Sequence, residues 1–198
     1  MNNIDRFFTE DIENFSKSYF DYLKNILASI DVFEIKKFID TLLNARKNRA
    51  TIFFIGNGGS AATASHFAND LAFGINTSDP FKAMSINDNV PVLTALSNDH
   101  GYEDIFIRQL KVYGKEGDVL VGISASGNSE NILRAFKYAA SNGILTVALT
   151  GFDGGKMKFV ADQGLHIPTD MKEYGPAEDA HLVIDHLVSS YLMRIIRD

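Results

Sequence analysis

Five short, nearly continuous apolar runs constrain this chain more than any other feature: Thr51–Gly56, Ala83–Ile86, Val119–Ile123, Leu145–Leu149 and Leu165–Ile167. A strand with one face in water alternates apolar and polar residues. A run without alternation belongs to a strand buried on both faces, as in a parallel sheet. Helical patterns separate most of the runs, at Ser60–Phe73, Pro91–Leu96 with Asp104–Tyr113, Asn128–Asn142 and Gly155–Ala161. This alternation predicts an α/β fold, a three-layer αβα sandwich around a five-stranded parallel sheet.

Residues 3 to about 48 precede the first strand and read as a helical pair. Phe7, Ile12, Phe15, Tyr19, Tyr22, Leu23, Ile26 and Leu27 recur at helical spacing. So do Phe33, Ile35, Phe38, Ile39, Leu42 and Leu43, with Asp31 as a cap. The pair packs on the domain or on another subunit. The last helix, from about Pro176 to Ile196, is apolar on most sides, the pattern of a buried helix, often one between subunits. No linker or repeat interrupts the chain, so residues 1–198 are expected to form one domain, with 1–48 as a helical extension for oligomerisation and 49–198 as the core.

Composition narrows the function classes. Hydrophobic content of 45% and charged content of 22% are ordinary for a soluble protein. A formal net charge of −6, with no Lys/Arg cluster, argues against nucleic acid as a partner. The absence of cysteine excludes disulfides, thiolate catalysis and Cys-ligated zinc. The N-terminal residues lack the basic-then-apolar pattern of a secretory signal, and no apolar run approaches membrane-spanning length. The expectation is a cytoplasmic protein with no membrane partner.

Ligands of open parallel sheets collect beyond the carboxyl ends of the strands. There the chain carries Gly56-Asn57-Gly58-Gly59-Ser60, Ser85-Ile86-Asn87-Asp88, Ser124-Ala125-Ser126-Gly127-Asn128-Ser129, and Thr150-Gly151 with Asp153-Gly154-Gly155. The serine loop joins a strand to a helix start, so its hydroxyls and backbone N–H groups suit a phosphate. The competing reading is a simple turn, which Ser, Gly and Asn also favour. The first glycine loop approaches a dinucleotide fingerprint, a weak signal alone, and a second phosphate-sized loop makes it redundant. No nucleoside-triphosphate P-loop is present. Gly122-Ile123-Ser124-Ala125-Ser126 lacks the last glycine of a nucleophile elbow.

Two helices carry groups for chemistry. His66 and Asp70 are four residues apart and share a face. Glu178, His181, Asp185 and His186 recur in the last helix, where Glu178 and His186 are offset by roughly 80°. Carboxylate–histidine pairs suit general acid–base catalysis or a divalent metal. Spacing alone does not separate these from surface or core residues.

Gly56-Asn57-Gly58-Gly59-Ser60 with His66-Phe67-Ala68, Ser97-Asn98-Asp99, the serine loop, and Thr150-Gly151 with Asp153-Gly154-Gly155-Lys156-Met157 resemble the sugar isomerase (SIS) family, and within it the phosphoheptose isomerases. The resemblance implies a flavodoxin-like SIS domain and aldose–ketose isomerisation of a heptose 7-phosphate through an enediol, feeding lipopolysaccharide or capsule. It implies Ser60, Ser124, Ser126 and Ser129 on the sugar phosphate, with Asn57, Gly58 and Asp99 near the sugar and Glu178 at the position of a substrate-binding Gln. It implies Asp70 as base and His186 as its acid–base partner. Some members hold zinc, here among His66, Asp70, Glu178 and His186, and no nucleotide cofactor is implied. A homotetramer with shared active sites is implied as well. Other SIS proteins are non-catalytic sugar-phosphate sensors or partners of a replication initiator, which is the alternative. The chain departs from the family in carrying Asp70 for the usual Glu, Glu178 for the usual Gln, and Gly74 where an arginine is common.

Overall fold

The computed structural model describes residues 1–75 and 77–196. Five parallel strands, β1 (Thr51–Gly56), β2 (Lys82–Ser85), β3 (Val119–Ser124), β4 (Leu145–Thr150) and β5 (Gln163–His166), form one sheet in the order β2-β1-β3-β4-β5. Chain order reverses between β1 and β3, which pair with Gly56 opposite Ile123. That reversal leaves a crevice at their carboxyl ends.

Successive strand residues serve opposite layers. Ile52, Phe54, Val119, Val121, Val147 and Leu149 pack against α2 (Ile12–Ala28), α3 (Val32–Lys47), α4 (Gly59–Asn69) and α9 (Tyr174–Ile196). Phe53, Ile55, Leu120 and Ala148 pack against α6 (Ile105–Tyr113) and α7 (Glu130–Ser141), with α5 (Val90–His100) at the margin. Residues 1–48 therefore share the main core, through Ile26, Phe38 and Leu42. Asp118, fully buried, accepts the Thr51 and Lys115 N–H groups at 2.8 and 3.0 Å and ties the start of β3 to that of β1.

The structure departs from the sequence reading in four places. The leading helical pair is preceded by a separate short helix, α1 (Asn3–Phe7), closed by an Asn2–Asp5 capping box; Asp11 then caps α2 afresh. The helix expected at Gly155–Ala161 shrinks to α8 (Met157–Val160), because Gly154 and Gly155 both hold positive φ, at 86° and 52°. β2 is not buried on both faces: it is an edge strand whose Lys82 and Met84 are exposed. The last helix buries one face only; Leu187, Tyr191 and Ile195 remain exposed. Among the described residues, no helix is long and apolar enough to cross a membrane.

Candidate active site

The serine loop leaves β3 at Ser124 and enters α7 at Ser129. Gly127, at φ 60°, lets it turn. The Gly127 N–H donates to Ser124 Oγ at 3.1 Å, and the Ser124 and Ser129 hydroxyls face each other at 3.3 Å. Ser129 is the N-cap of α7, yet its side chain makes no capping bond, so its hydroxyl stays available. The loop after β4 braces this one from outside: Met157 N–H donates to Gly127 O at 2.9 Å, and Lys156 N–H to Asn128 Oδ1 at 3.2 Å.

The glycine loop after β1 is tied to α7 by a reciprocal amide pair. Asn57 Nδ2 donates to Asn131 Oδ1 at 3.0 Å, and Asn131 Nδ2 returns a bond to Asn57 Oδ1 at 2.9 Å. The Tyr102 hydroxyl donates to the same Asn57 oxygen at 2.7 Å. Gly58 caps α4 in the left-handed region, φ 55°. Asn57, Ser60, Ser124, Ser126, Ser129, Tyr174 and Glu178 then line one cavity of about 170 Å³. None of these lining residues is Lys or Arg, so hydroxyl and N–H donors are the cavity's means of holding an anion. Asp99 is not among them; it is exposed and accepts a bond from the Asn98 amide.

α4 and α9 run parallel, side by side. At their heads, a Cβ on Gly59 would fall 2.2 Å from Glu178 Oε2, so the glycine makes room for that carboxylate. Two turns on, His66 Nε2 meets His186 Nε2 at 3.2 Å. Asp70 follows His66 by one turn, with Oδ2 3.6 Å from His66 Nε2, and it opens a π-helical turn, Asp70–Gly74. Such turns interrupt α-helices mostly at functional positions.

Asp185 completes this second group. His66, Asp70, Asp185 and His186 each offer a ligand atom within 4.8 Å of the others. Asp185 is fully buried, and neither carboxylate oxygen has a hydrogen-bond partner among the described residues. Burial, with the Asp70 charge added, pushes its carboxyl up to about 8. Burial also raises Glu178, with Asp179 as the lesser cause. Three of the four residues that the resemblance implies for a metal, His66, Asp70 and His186, lie in this group together with Asp185, and Glu178 lies at the head of α4 in the serine-loop cavity. On α9, Asp185 is seven residues past Glu178, within roughly 20° of the same helix line, whereas His186 is roughly 80° away, and spacing alone does not say which line faces α4. Two imidazole nitrogens and two carboxylates, one of them buried without a partner, fit a divalent cation.

Residues 18–151 match the model of the SIS domain family. The chain is 37% identical over 173 residues to a phosphoheptose isomerase of Helicobacter pylori (strain P12), covering 87% of this chain and 88% of that one. It is 35% identical over 189 residues to a phosphoheptose isomerase of Aneurinibacillus thermoaerophilus, covering 89% and 94%. The structure of a phosphoheptose isomerase from Neisseria gonorrhoeae superposes with a TM-score of 0.83 at 29% identity, covering 93% of this chain and all of that one.

Proposed function

The chain belongs to the SIS domain family, in its phosphoheptose isomerase branch, and from that premise we propose that it interconverts D-sedoheptulose 7-phosphate and D-glycero-D-manno-heptose 7-phosphate in heptose biosynthesis. The observation that carries this reading is the parallel pairing of α4 with α9. It sets Ser60 and Glu178 of the serine-loop cavity near the heads of the two helices and the His66–Asp70–His186 group about two turns further along them. Ser60 precedes His66 and Asp70 by six and ten residues, roughly 9 and 15 Å of helix rise. That is the scale of an extended seven-carbon sugar phosphate.

The phosphate binds at Ser60, Ser124, Ser126 and Ser129, with Asn57 and Gly58 beside the sugar and Glu178 within reach of its hydroxyls. The phosphate is remote from the reacting carbons, so its binding energy positions C1 and C2. The Asp70 carboxylate takes a proton from C1 of the ketose. The C–H electron pair forms the C1=C2 bond, the carbonyl pair moves to O2, and His186 protonates O2 to give the enediol. His186 then takes the O1 proton, the C1 carbonyl forms, and Asp70 returns its proton to C2. A zinc ion held by the His66, Asp70 and His186 group would polarise the substrate carbonyl and stabilise the enediolate. A sensor without catalysis would need the cavity but would have no use for that group.

Residues 1–198 act in this reading as one SIS domain of a cytoplasmic homotetramer, with Asp99 brought to the sugar by a neighbouring copy. The test is an NMR assay on sedoheptulose 7-phosphate and on unphosphorylated sedoheptulose. Aldoheptose phosphate should form, and loss of the phosphate should lower kcat/KM by at least about 100-fold. Binding of the sugar phosphate with no aldose formed would refute the enzyme and leave the sensor.

A further inference from the structure

Asp185 has no task in the reaction just described. It is a fully buried carboxylate whose two oxygens have no hydrogen-bond partner among the described residues, beside a second carboxylate, Asp70. A buried carboxyl without a partner is costly in either protonation state, and ionised carboxylates are normally buried only when paired or bound to a metal. The groups facing it point the same way. His66 and His186 aim Nε2 atoms at each other, 3.2 Å apart. As neutral imidazoles, one of them would have to donate to the other. Ligands on a tetrahedral zinc, with bonds of about 2.0–2.1 Å, sit about 3.3 Å from one another. The observed separations of 3.2 Å (His66 to His186) and 3.6 Å (His66 to Asp70) lie on either side of that value.

We propose that Asp185 is a direct ligand of a divalent cation, completing a set of His66, Asp70 and His186, and that Glu178 is not a ligand. The proposal rests on the reading that this group holds a cation at all. Two carboxylates neutralise a dication, and two imidazoles with two carboxylates select the zinc, cobalt, manganese and iron class over soft, thiolate-seeking ions. Glu178 is kept from the set by position. Seven residues earlier on α9, it lies roughly 10 Å back along the helix, against Gly59. The division leaves Glu178 in the sugar-phosphate cavity with its carboxylate free for substrate hydroxyls.

Because the chain has no cysteine, a single introduced thiol gives an unambiguous report. Metal-stripped wild type, Asp185→Asn, Asp185→Cys, Glu178→Gln and Glu178→Cys are titrated with zinc against a chromophoric chelator, and with cobalt(II) followed by absorption. Melting of each metal-free protein confirms folding. Wild type should take one ion per chain. Asp185→Asn should weaken zinc by at least about 100-fold, beyond what loss of an outer-shell partner costs, while Glu178→Gln stays within about threefold. Asp185→Cys with cobalt should show a sulfur-to-cobalt charge-transfer band in the near ultraviolet, and Glu178→Cys should show none. The proposal is overturned by unchanged zinc affinity in Asp185→Asn together with no such band in Asp185→Cys, or by the band appearing in Glu178→Cys. Wild type that binds none of zinc, cobalt or manganese overturns the cation reading as well. Turnover of sedoheptulose 7-phosphate by the same metal-free protein tells that failure apart from failure of the isomerase assignment.

Discussion

His181 and His186 are five residues apart on α9, yet their surroundings give them opposite roles. His186 is exposed and faces His66, so it can exchange protons with a substrate. His181 is fully buried, and among the described residues neither ring nitrogen has a partner of good hydrogen-bond geometry. Burial pushes its pKa down to about 4, and the Thr150 backbone, which pulls the other way, does not offset it. An unfolded histidine titrates near 6.5, so between about pH 6.5 and 4 the unfolded chain binds more protons than the folded one. Stability present above that window is therefore lost as pH falls through it. Half-buried His166, lowered by burial and then by the Lys158 charge, acts in the same direction. Asp185, raised by burial, acts in the opposite direction over the same range, so the test is the difference: from pH 7 down to about 4 the urea midpoint of wild type should drop relative to that of His181→Asn. Equal slopes would show that His181 does not carry the effect.

The α4–α9 pair is the element on which the site depends, and the segment leading into α9 is held by Glu173. That carboxylate is buried and accepts the Asn3 and Ile4 N–H groups at 2.7 and 3.2 Å, the Asp170 N–H at 3.0 Å, and the Tyr22 hydroxyl. It joins the head of α1 and the middle of α2 to the turn that positions Tyr174 in the cavity. Glu173→Ala strands several donors and should cost about 3 kcal/mol, read as a lower urea midpoint. It should also raise the KM for sugar phosphate more than it lowers kcat. A loss of stability with KM unchanged would make Glu173 a fold residue only.

At this scale the sequence was most legible where burial is two-sided. β1, β3 and β4 are central strands, and their apolar runs marked them within a residue. β2 and β5 lie at the edges, and their bounds shifted by one or two residues because one neighbour is missing. The serine loop was legible because strand, turn and helix start are local. The break after α1 and the shortening of α8 depend on caps and on glycine φ values that apolar spacing does not encode. Asp185 was visible as a residue but not as a site member. Which line of α9 faces α4 is fixed only when Gly59 admits Glu178 and sets the helices' register.

For the whole molecule, one chain leaves much apolar surface uncovered. Phe73 is 85% exposed just beyond Asp70, and Ile12 and Phe20 on α2 are 69% and 68% exposed. His66 and His186 are exposed, and the π-helical turn that carries Phe73 begins at Asp70. Exposed apolar side chains, one of them three residues past Asp70, fit a surface covered by a second copy. Light scattering behind size exclusion should give the mass of four chains, and Phe73→Asp should lower it and reduce turnover together. A wild-type monomer at micromolar concentration would contradict the shared site. The most direct test of the central claim, a phosphate anchored at the serine loop while Asp70 moves the carbon-bound proton, is turnover and binding of sedoheptulose 7-phosphate by Asp70→Asn. The account predicts a turnover loss of at least about 100-fold with the dissociation constant within about threefold of wild type. Asp70→Asn turning over at the wild-type rate would contradict it.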